Sequence, residues 1–186
     1  VEVTLSELHR NQEKVRQEAK RFNVLDCGRR WGKSVMAVNL MSETALEGYP
    51  AGYFAPTYKL LEGTFKEAYS ALEPIVKVKH QNKFIELITG GNIEFWSLDN
   101  PNAGRSRKYK RVIVDEAAFV KDLWNAWTQS VRPTLTDLKG DAWFMSTPKG
   151  KNDFYKLYMR GEQGEDNWMS WKMPTQSNPH IDIGEI

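Results

Sequence analysis

The chain has a single cysteine, Cys27, so no internal disulfide can form and a reducing cytosol suits it. It has no apolar run near the roughly 20 residues that a membrane-spanning helix needs. Val1-Glu2-Val3-Thr4 does not open like a signal peptide. Both features lead us to expect a soluble protein without a membrane partner. Strong charge of one sign is also lacking: 26 basic against 24 acidic side chains give a net charge of +2, which neither requires nor excludes nucleic acid. Internal repeats and low-complexity tracts are absent. What remains is 186 residues, 40% of them hydrophobic, enough to bury the core of one α/β domain.

The chain is organised around residues 24 to 34, Val24-Leu25-Asp26-Cys27-Gly28-Arg29-Arg30-Trp31-Gly32-Lys33-Ser34. A short apolar run ends in a glycine-containing turn, and Val35-Met36-Ala37-Val38-Asn39-Leu40 then follows with helical spacing. This order of strand, loop and helix suits phosphate binding. Backbone N–H groups at a helix N-terminus face the anion, a lysine reaches the β- and γ-phosphates, and a hydroxyl shares Mg²⁺. Lys33 and Ser34 supply the last two. The general pattern G-x-x-x-x-G-K-[ST] places Cys27 where its first glycine belongs, with Gly28 one position late.

Upstream, Thr4 and Glu7 suggest a capping box, and Leu8, Val15, Ala19 and Phe22 form one helical stripe over residues 4 to 23. Gln12 lies on that helix and reads, on pattern alone, as a solvated side chain. Downstream, Ala51-Gly52-Tyr53-Phe54-Ala55 predicts a strand and Leu60 to Leu72 a helix, a β-α-β-α order that favours a parallel sheet. Phe84-Ile85-Glu86-Leu87-Ile88 and Ile93-Glu94-Phe95-Trp96 flank Thr89-Gly90-Gly91-Asn92, which predicts an antiparallel hairpin at one edge. Residues 99 to 111 read as a loop that becomes basic at Arg105, Arg107, Lys108, Lys110 and Arg111, mostly a solvated face.

Val112-Ile113-Val114 is a β-branched run of the kind found in a buried central strand, and it ends in Asp115-Glu116. Beside a phosphate loop, such an aspartate can hold Mg²⁺ through its water shell, and the next carboxylate can polarise water attacking a γ-phosphate. Leu123-Trp124-Asn125-Ala126-Trp127 predicts a helix with both tryptophans in the core, before a break at Pro133. Ala142-Trp143-Phe144-Met145 predicts another strand ending in Ser146-Thr147-Pro148-Lys149-Gly150. Ser146 and Thr147 there are either a sensor of the γ-phosphate or an ordinary proline turn. A helix from Asn152 to Arg160, a strand from Trp168 to Met173 and a connector from Thr175 to Ile186 complete the chain.

Three stretches together carry a family resemblance: Cys27-Gly28-Arg29-Arg30-Trp31-Gly32-Lys33-Ser34, Val112-Ile113-Val114-Asp115-Glu116-Ala117-Ala118-Phe119 and Ser146-Thr147-Pro148-Lys149-Gly150. The chain resembles, over nearly its whole length, the ATPase domain of the large terminase subunit of tailed bacteriophages. That resemblance implies a P-loop NTPase of the RecA-like additional-strand type, with a mostly parallel sheet, an antiparallel hairpin at one edge and helices on both faces. It implies ATP and Mg²⁺ as cofactors, and ATP hydrolysis that drives double-stranded DNA into a procapsid. Residues 28 to 35, including Gly28, Arg30, Trp31, Gly32 and Val35, would bind nucleotide, with Ser34 and Asp115 at the metal and Glu116 activating water.

The same resemblance places Gln12, in Leu8-His9-Arg10-Asn11-Gln12, at the adenine edge and Arg29 near the γ-phosphate of its own subunit. Arg105 falls where many relatives have an Arg-Gly whose arginine enters a neighbouring subunit's site, with Ser106 here in the glycine's place. A guanidinium at the transferring phosphoryl group contributes about 10³–10⁵ in rate. Ser146 and Thr147 match the family's coupling motif. Residues 1 to 150 would be the ATPase core and 151 to 186 a lid or linker leading to an absent nuclease domain, so no nuclease activity is expected. The implied partners are DNA, a portal protein, a small terminase subunit and further copies in a ring, with a monomer in isolation, at the procapsid portal in the host cytoplasm. Another helicase-like P-loop ATPase, or a nucleotide-regulated binding module, stays open as an alternative.

Overall fold

The structure is a computed structural model, which describes residues 2 to 150, 152 to 182 and 184. Helix α1 (Arg10–Glu18) leads into β1 (Phe22–Cys27), then α2 (Lys33–Leu46), β2 (Pro50–Ala55) and α3 (Tyr58–Leu72). An edge follows with β3 (Val76–His80), β4 (Phe84–Leu87) and β5 (Asn92–Ser97), then β6 (Arg111–Asp115) and the short α4 (Leu123–Asn125). The chain closes through β7 (Asp141–Ser146), α5 (Asp153–Glu162) and β8 (Trp168–Met173).

The eight strands form one sheet in the order β3-β4-β5-β2-β6-β7-β1-β8. Five neighbouring pairs are parallel, from β5 with β2 across to β1 with β8. The pairs β3 with β4 and β4 with β5 are antiparallel, so the expected hairpin does lie at one edge, extended outward by β3. Strand β7 sits between β1, which feeds the phosphate loop, and β6, which ends in Asp115. That inserted strand is the feature that defines the additional-strand arrangement expected from the sequence.

Strand alternation divides the core in two. Leu25, Cys27, Tyr53, Ile113, Trp143 and Met145 face α2 and α3, whereas Val24, Phe54, Val112, Val114, Ala142 and Phe144 face the side of α4 and α5. Central strands buried on both faces read as continuous apolar runs, which is why β6 and β7 are legible in sequence. Arg111 locks the opposite end of these strands: its guanidinium makes two 2.9 Å bonds to Asp141 across β6 and β7, and a 3.1 Å bond to the Leu40 carbonyl of α2.

Several expectations are corrected. The first helix starts at Arg10, and its capping box is His9 with Gln12 instead of Thr4 with Glu7. It stops at Glu18 because the Asn23 side chain closes a turn on Lys20, accepting from its N–H and donating to its carbonyl, both at 2.8 Å. Phe22 therefore begins β1 and packs on the opposite core. Trp127 is buried as expected, but Trp124 is 44% exposed and lies under the Arg160 guanidinium. The segment after α4 is a π-helical turn over Ala126–Val131, followed by a 3-10 turn at Arg132–Leu135 that accommodates Pro133.

In the basic run Arg105, Arg107 and Lys108 are exposed, as expected of a mostly solvated face, and Lys110 and Arg111 are half-buried. Arg107 pairs with Glu94 through two bonds of 2.8 and 2.6 Å, Lys108 with Asp137 at 2.9 Å, and Lys110 donates to the Leu138 carbonyl at 3.2 Å. Beyond the loop after β7, β8 joins the same sheet, paired in register with β1 from Phe22 to Cys27, and α5 packs beside it. No helix among the described residues is long and apolar enough to cross a membrane.

Candidate nucleotide site

In a parallel sheet of this kind, ligands sit beyond the carboxyl ends of the central strands. Three adjacent strands deliver the predicted residues there: β1 ends in the phosphate loop, β6 in Asp115-Glu116 and β7 in Ser146. The odd position of the first glycine has a structural reason. Cys27 is still a strand residue, paired in register with Met173 and fully buried, and its thiol is pushed up to about 12 by burial. The tight approach comes at Gly28, where a Cβ would lie 2.6 Å from the Thr175 backbone nitrogen. The sharpest turning falls on Arg30 (φ 62°) and Gly32 (φ 104°), both left-handed.

The N–H groups of Arg29, Arg30, Gly32, Lys33 and Ser34 have no backbone partner among the described residues. They sit at the N-terminus of the 14-residue helix α2, where the helix dipole adds to their attraction for an anion. Arg29, Arg30, Ser34 and Val35 are exposed or half-exposed there. Trp31, counted among the nucleotide-binding residues, is fully buried, with its indole N–H donated to Ser177 at 2.6 Å; only its backbone faces the loop.

The Lys33 ammonium forms an ion pair with Asp115 Oδ1. Burial disfavours the charged amine, but the Asp115 and Glu116 carboxylates outweigh it and hold Lys33 above its ordinary value. Asp115 is 1% exposed, and its Oδ1 also accepts the Glu116 N–H at 2.9 Å. Its Oδ2 accepts from the Tyr53 hydroxyl at 2.6 Å, and Tyr53 in turn meets the Thr64 hydroxyl at 3.0 Å. Sequence reading misses Tyr53, a fully buried residue of β2, since a tyrosine inside an apolar strand signals core. Burial first, and Asp115 next, push its hydroxyl well above the ordinary value, so it stays a donor.

Glu116 adopts a left-handed backbone (φ 43°), an unusual state for a non-glycine residue and common at functional turns. Its Oε1 accepts the Thr147 N–H at 3.0 Å and lies 3.3 Å from the Thr147 hydroxyl. Ser146 is fully buried, accepts the Ala118 N–H at 3.1 Å and donates to the Thr147 carbonyl at 2.8 Å. Ser146 and Thr147 therefore touch the Glu116 turn directly.

Gln12 is 2% exposed, which corrects its reading as a solvated side chain. Its Oε1 accepts the His9 N–H at 2.9 Å and its amide donates to the Gly32 carbonyl at 2.8 Å, so it is tied to the phosphate loop. Arg105 is exposed and donates to Asn102 at 3.1 Å; among the described residues no hydrogen bond or ion pair joins it to Lys33, Asp115 or Glu116. Ser106, beside it, is left-handed (φ 63°), the conformation in which glycine is unstrained.

The donor set suits Mg²⁺. Mg²⁺ keeps several waters and takes one or two protein oxygens together with substrate phosphates. Ser34 and Asp115 offer such oxygens, and among the described residues no group of three or more His, Cys, Asp or Glu side chains competes as a protein-only cage.

Comparison with known proteins agrees with these motifs. The chain is 30% identical over 172 residues to the large terminase subunit of Escherichia phage T5, covering 89% of this chain and 39% of that protein. The Thermus phage P74-26 large terminase ATPase domain matches with a TM-score of 0.77 at 23% identity, over 90% of this chain and 81% of that one. The large terminase of a thermophilic bacteriophage, solved in complex with ADP, matches with a TM-score of 0.74 at 17% identity, over 94% of this chain and 47% of that one. No protein-family model matches the chain.

Proposed function

The chain is related in sequence and fold to large terminase subunits, spanning about two fifths of the T5 protein, and we propose that it is the ATPase part of a DNA-packaging motor. The observation that carries this reading is the continuous chain of contacts from Lys33 to Asp115, Glu116 and Thr147 across the carboxyl ends of three adjacent strands. A site built only to bind nucleotide has no need of the second carboxylate. The ADP complex of the thermophilic phage's large terminase supports nucleotide as the ligand.

ATP's phosphates sit against the loop N–H groups at the start of α2, and Lys33 moves from Asp115 to the β- and γ-phosphates. Ser34 and Asp115 are the residues that would hold Mg²⁺, which would supply neutralisation of the charge developing on the phosphates. Glu116 accepts a proton from the attacking water, and the Thr147 N–H holds its carboxylate in place. Arg29, exposed at the loop, meets the γ-phosphate oxygens from within the subunit, and Arg105 reaches a neighbouring subunit's site. Gln12 meets the adenine edge with its remaining amide proton. Loss of the γ-phosphate alters the Glu116 and Thr147 contact, and the change passes to the loop before α5, where Asn152 is bonded to the Ala118 carbonyl at 2.9 Å.

Residues 1 to 150 form the ATPase core in this reading, and 151 to 186 act as the lid or linker, with β8 a strand of the sheet and α5 packed on it. The partners are double-stranded DNA, a portal protein, a small terminase subunit and further copies in a ring, at the procapsid portal in the host cytoplasm. We assign no nuclease role to any residue of the chain. ATP turnover with Mg²⁺, compared with EDTA and with Lys33→Ala, tests the reading. Both controls should abolish turnover; a Lys33→Ala chain as fast as wild type would refute the site. For Arg105, a demonstrably mixed assembly of Arg105→Ala and Lys33→Ala chains should regain turnover that neither has alone.

A further inference from the structure

A loop that turns successive N–H groups toward an anion must turn its carbonyls elsewhere, and a donor on each carbonyl fixes that orientation. In the phosphate loop those donors can be named. The Arg29 carbonyl accepts from the Thr175 hydroxyl at 2.6 Å, and the Arg30 carbonyl from the Asn178 amide at 2.8 Å. The Trp31 carbonyl accepts from His9 Nε2 at 2.9 Å, and the Gly32 carbonyl from the Gln12 amide at 2.8 Å. Four consecutive carbonyls are thus held by four side chains, drawn in pairs from the start of α1 and from the turn after β8.

Each donor is itself fixed. His9 Nδ1 accepts the Gln12 N–H at 3.3 Å, which leaves the ring proton on Nε2, aimed at the loop. Thr175 begins a 3-10 turn (Thr175–Ser177), anchored where the Met173 carbonyl accepts the Gly28 N–H at 2.8 Å. Ser177 accepts the Trp31 indole N–H, and its carbonyl accepts from Asn11, so the two elements also meet each other. The absent side chain of Gly28 is the space that Thr175 occupies.

We propose that His9, Gln12, Thr175 and Asn178 are positioning residues of the nucleotide site, which hold the loop's carbonyls outward and keep its N–H groups aimed at the phosphates before nucleotide arrives. The proposal rests on the ATPase reading above. It gives residues 174 to 178, read in sequence only as a connector, a role in phosphate binding. It also gives the Gln12 amide two uses: one proton serves the Gly32 carbonyl and the other is left for a base.

The test uses Thr175→Val and Asn178→Leu, which keep the approximate shape and remove the donor without adding charge, with Thr175→Ser as the restoring variant. Affinity for ADP and for inorganic triphosphate, which engages the loop alone, should fall about fivefold in each, the usual size for one lost hydrogen bond. Thr175→Ser should return to the wild-type value. Amide hydrogen exchange at residues 29 to 32 in the nucleotide-free chain should quicken in Thr175→Val and Asn178→Leu, while the melting midpoint, which reports general loosening, stays near wild type. Wild-type affinity for both ligands in both variants, or a loss that Thr175→Ser does not restore, would overturn the proposal. Failure of the wild-type chain itself to bind ADP would instead overturn the ATPase reading.

Discussion

Two loops of this molecule carry arginine clusters, and they are anchored in opposite ways. In residues 28 to 32 the backbone is held, carbonyl by carbonyl, and the Arg29 and Arg30 side chains are left exposed. In residues 105 to 111 the side chains do the holding: Arg107 grips Glu94 and Arg111 grips Asp141, and Arg105 alone among the three arginines has no carboxylate partner among the described residues. The contrast shows how to read a basic run. Charges that brace the fold consume themselves in pairs, and a guanidinium left exposed on a braced backbone is the one available for a ligand or a neighbour.

The largest effect that tests this contrast is expected at Arg29. Arg29→Ala should lower ATP turnover by about 10³ or more, the range for a guanidinium at a transferring phosphoryl group, with ADP affinity within a few fold of wild type. Steady-state kinetics beside ADP titration would show whether kcat carries the loss. Arg111→Ala should do the reverse. Removing the guanidinium of this half-buried pair leaves Asp141 and the Leu40 carbonyl without their donor and should destabilise by about 1–3 kcal/mol, so denaturant unfolding should show the loss while Arg29→Ala leaves the midpoint near wild type. If Arg29→Ala unfolds the chain and Arg111→Ala does not, the division between free and bracing arginines is wrong.

A smaller effect should follow pH. His9 is held below its ordinary 6.5, mainly by burial, with His180 and Arg10 adding to that while its bond to the Trp31 carbonyl opposes it. Below 6.5 the unfolded chain takes up a proton that the native chain resists, so this contribution is full above that pH and is lost as pH falls toward the lower native value. Protonation also removes the Nδ1 acceptor that caps α1. His9→Gln should flatten the fall in stability between about pH 6.5 and 5. The smallest effect is at Ser106, where Ser106→Gly should stabilise by up to about 1 kcal/mol by relieving a left-handed backbone, with turnover unchanged.

The features legible in sequence are those with local causes. A strand, a glycine turn and a helix start fall within eleven residues at the phosphate loop, and Thr89-Gly90-Gly91-Asn92 announces its own hairpin. Asp115-Glu116 is visible because a buried strand ending in two carboxylates breaks an apolar pattern. What stays hidden depends on partners far along the chain. Tyr53 meets Asp115 across 62 positions, and Thr175 and Asn178 meet the loop across 146 and 148. The cap on α1 is misplaced by sequence reading because histidine is an uncommon N-cap, while the Thr4 and Glu7 spacing fits the usual box. Trp124 reads as core because its helix is expected to continue, and the π-helical turn after Asn125 rotates the face on which it would have been buried.

The proposed role of Glu116 is to act on water and not on nucleotide binding. Single-turnover ATP hydrolysis by Glu116→Gln, beside the ATP affinity of the same chain, separates the two. Affinity should stay at the wild-type value with hydrolysis slowed by about 10² or more, the range for a lost general base. Hydrolysis at the wild-type rate, or a loss of rate that only follows a loss of affinity, would contradict that role.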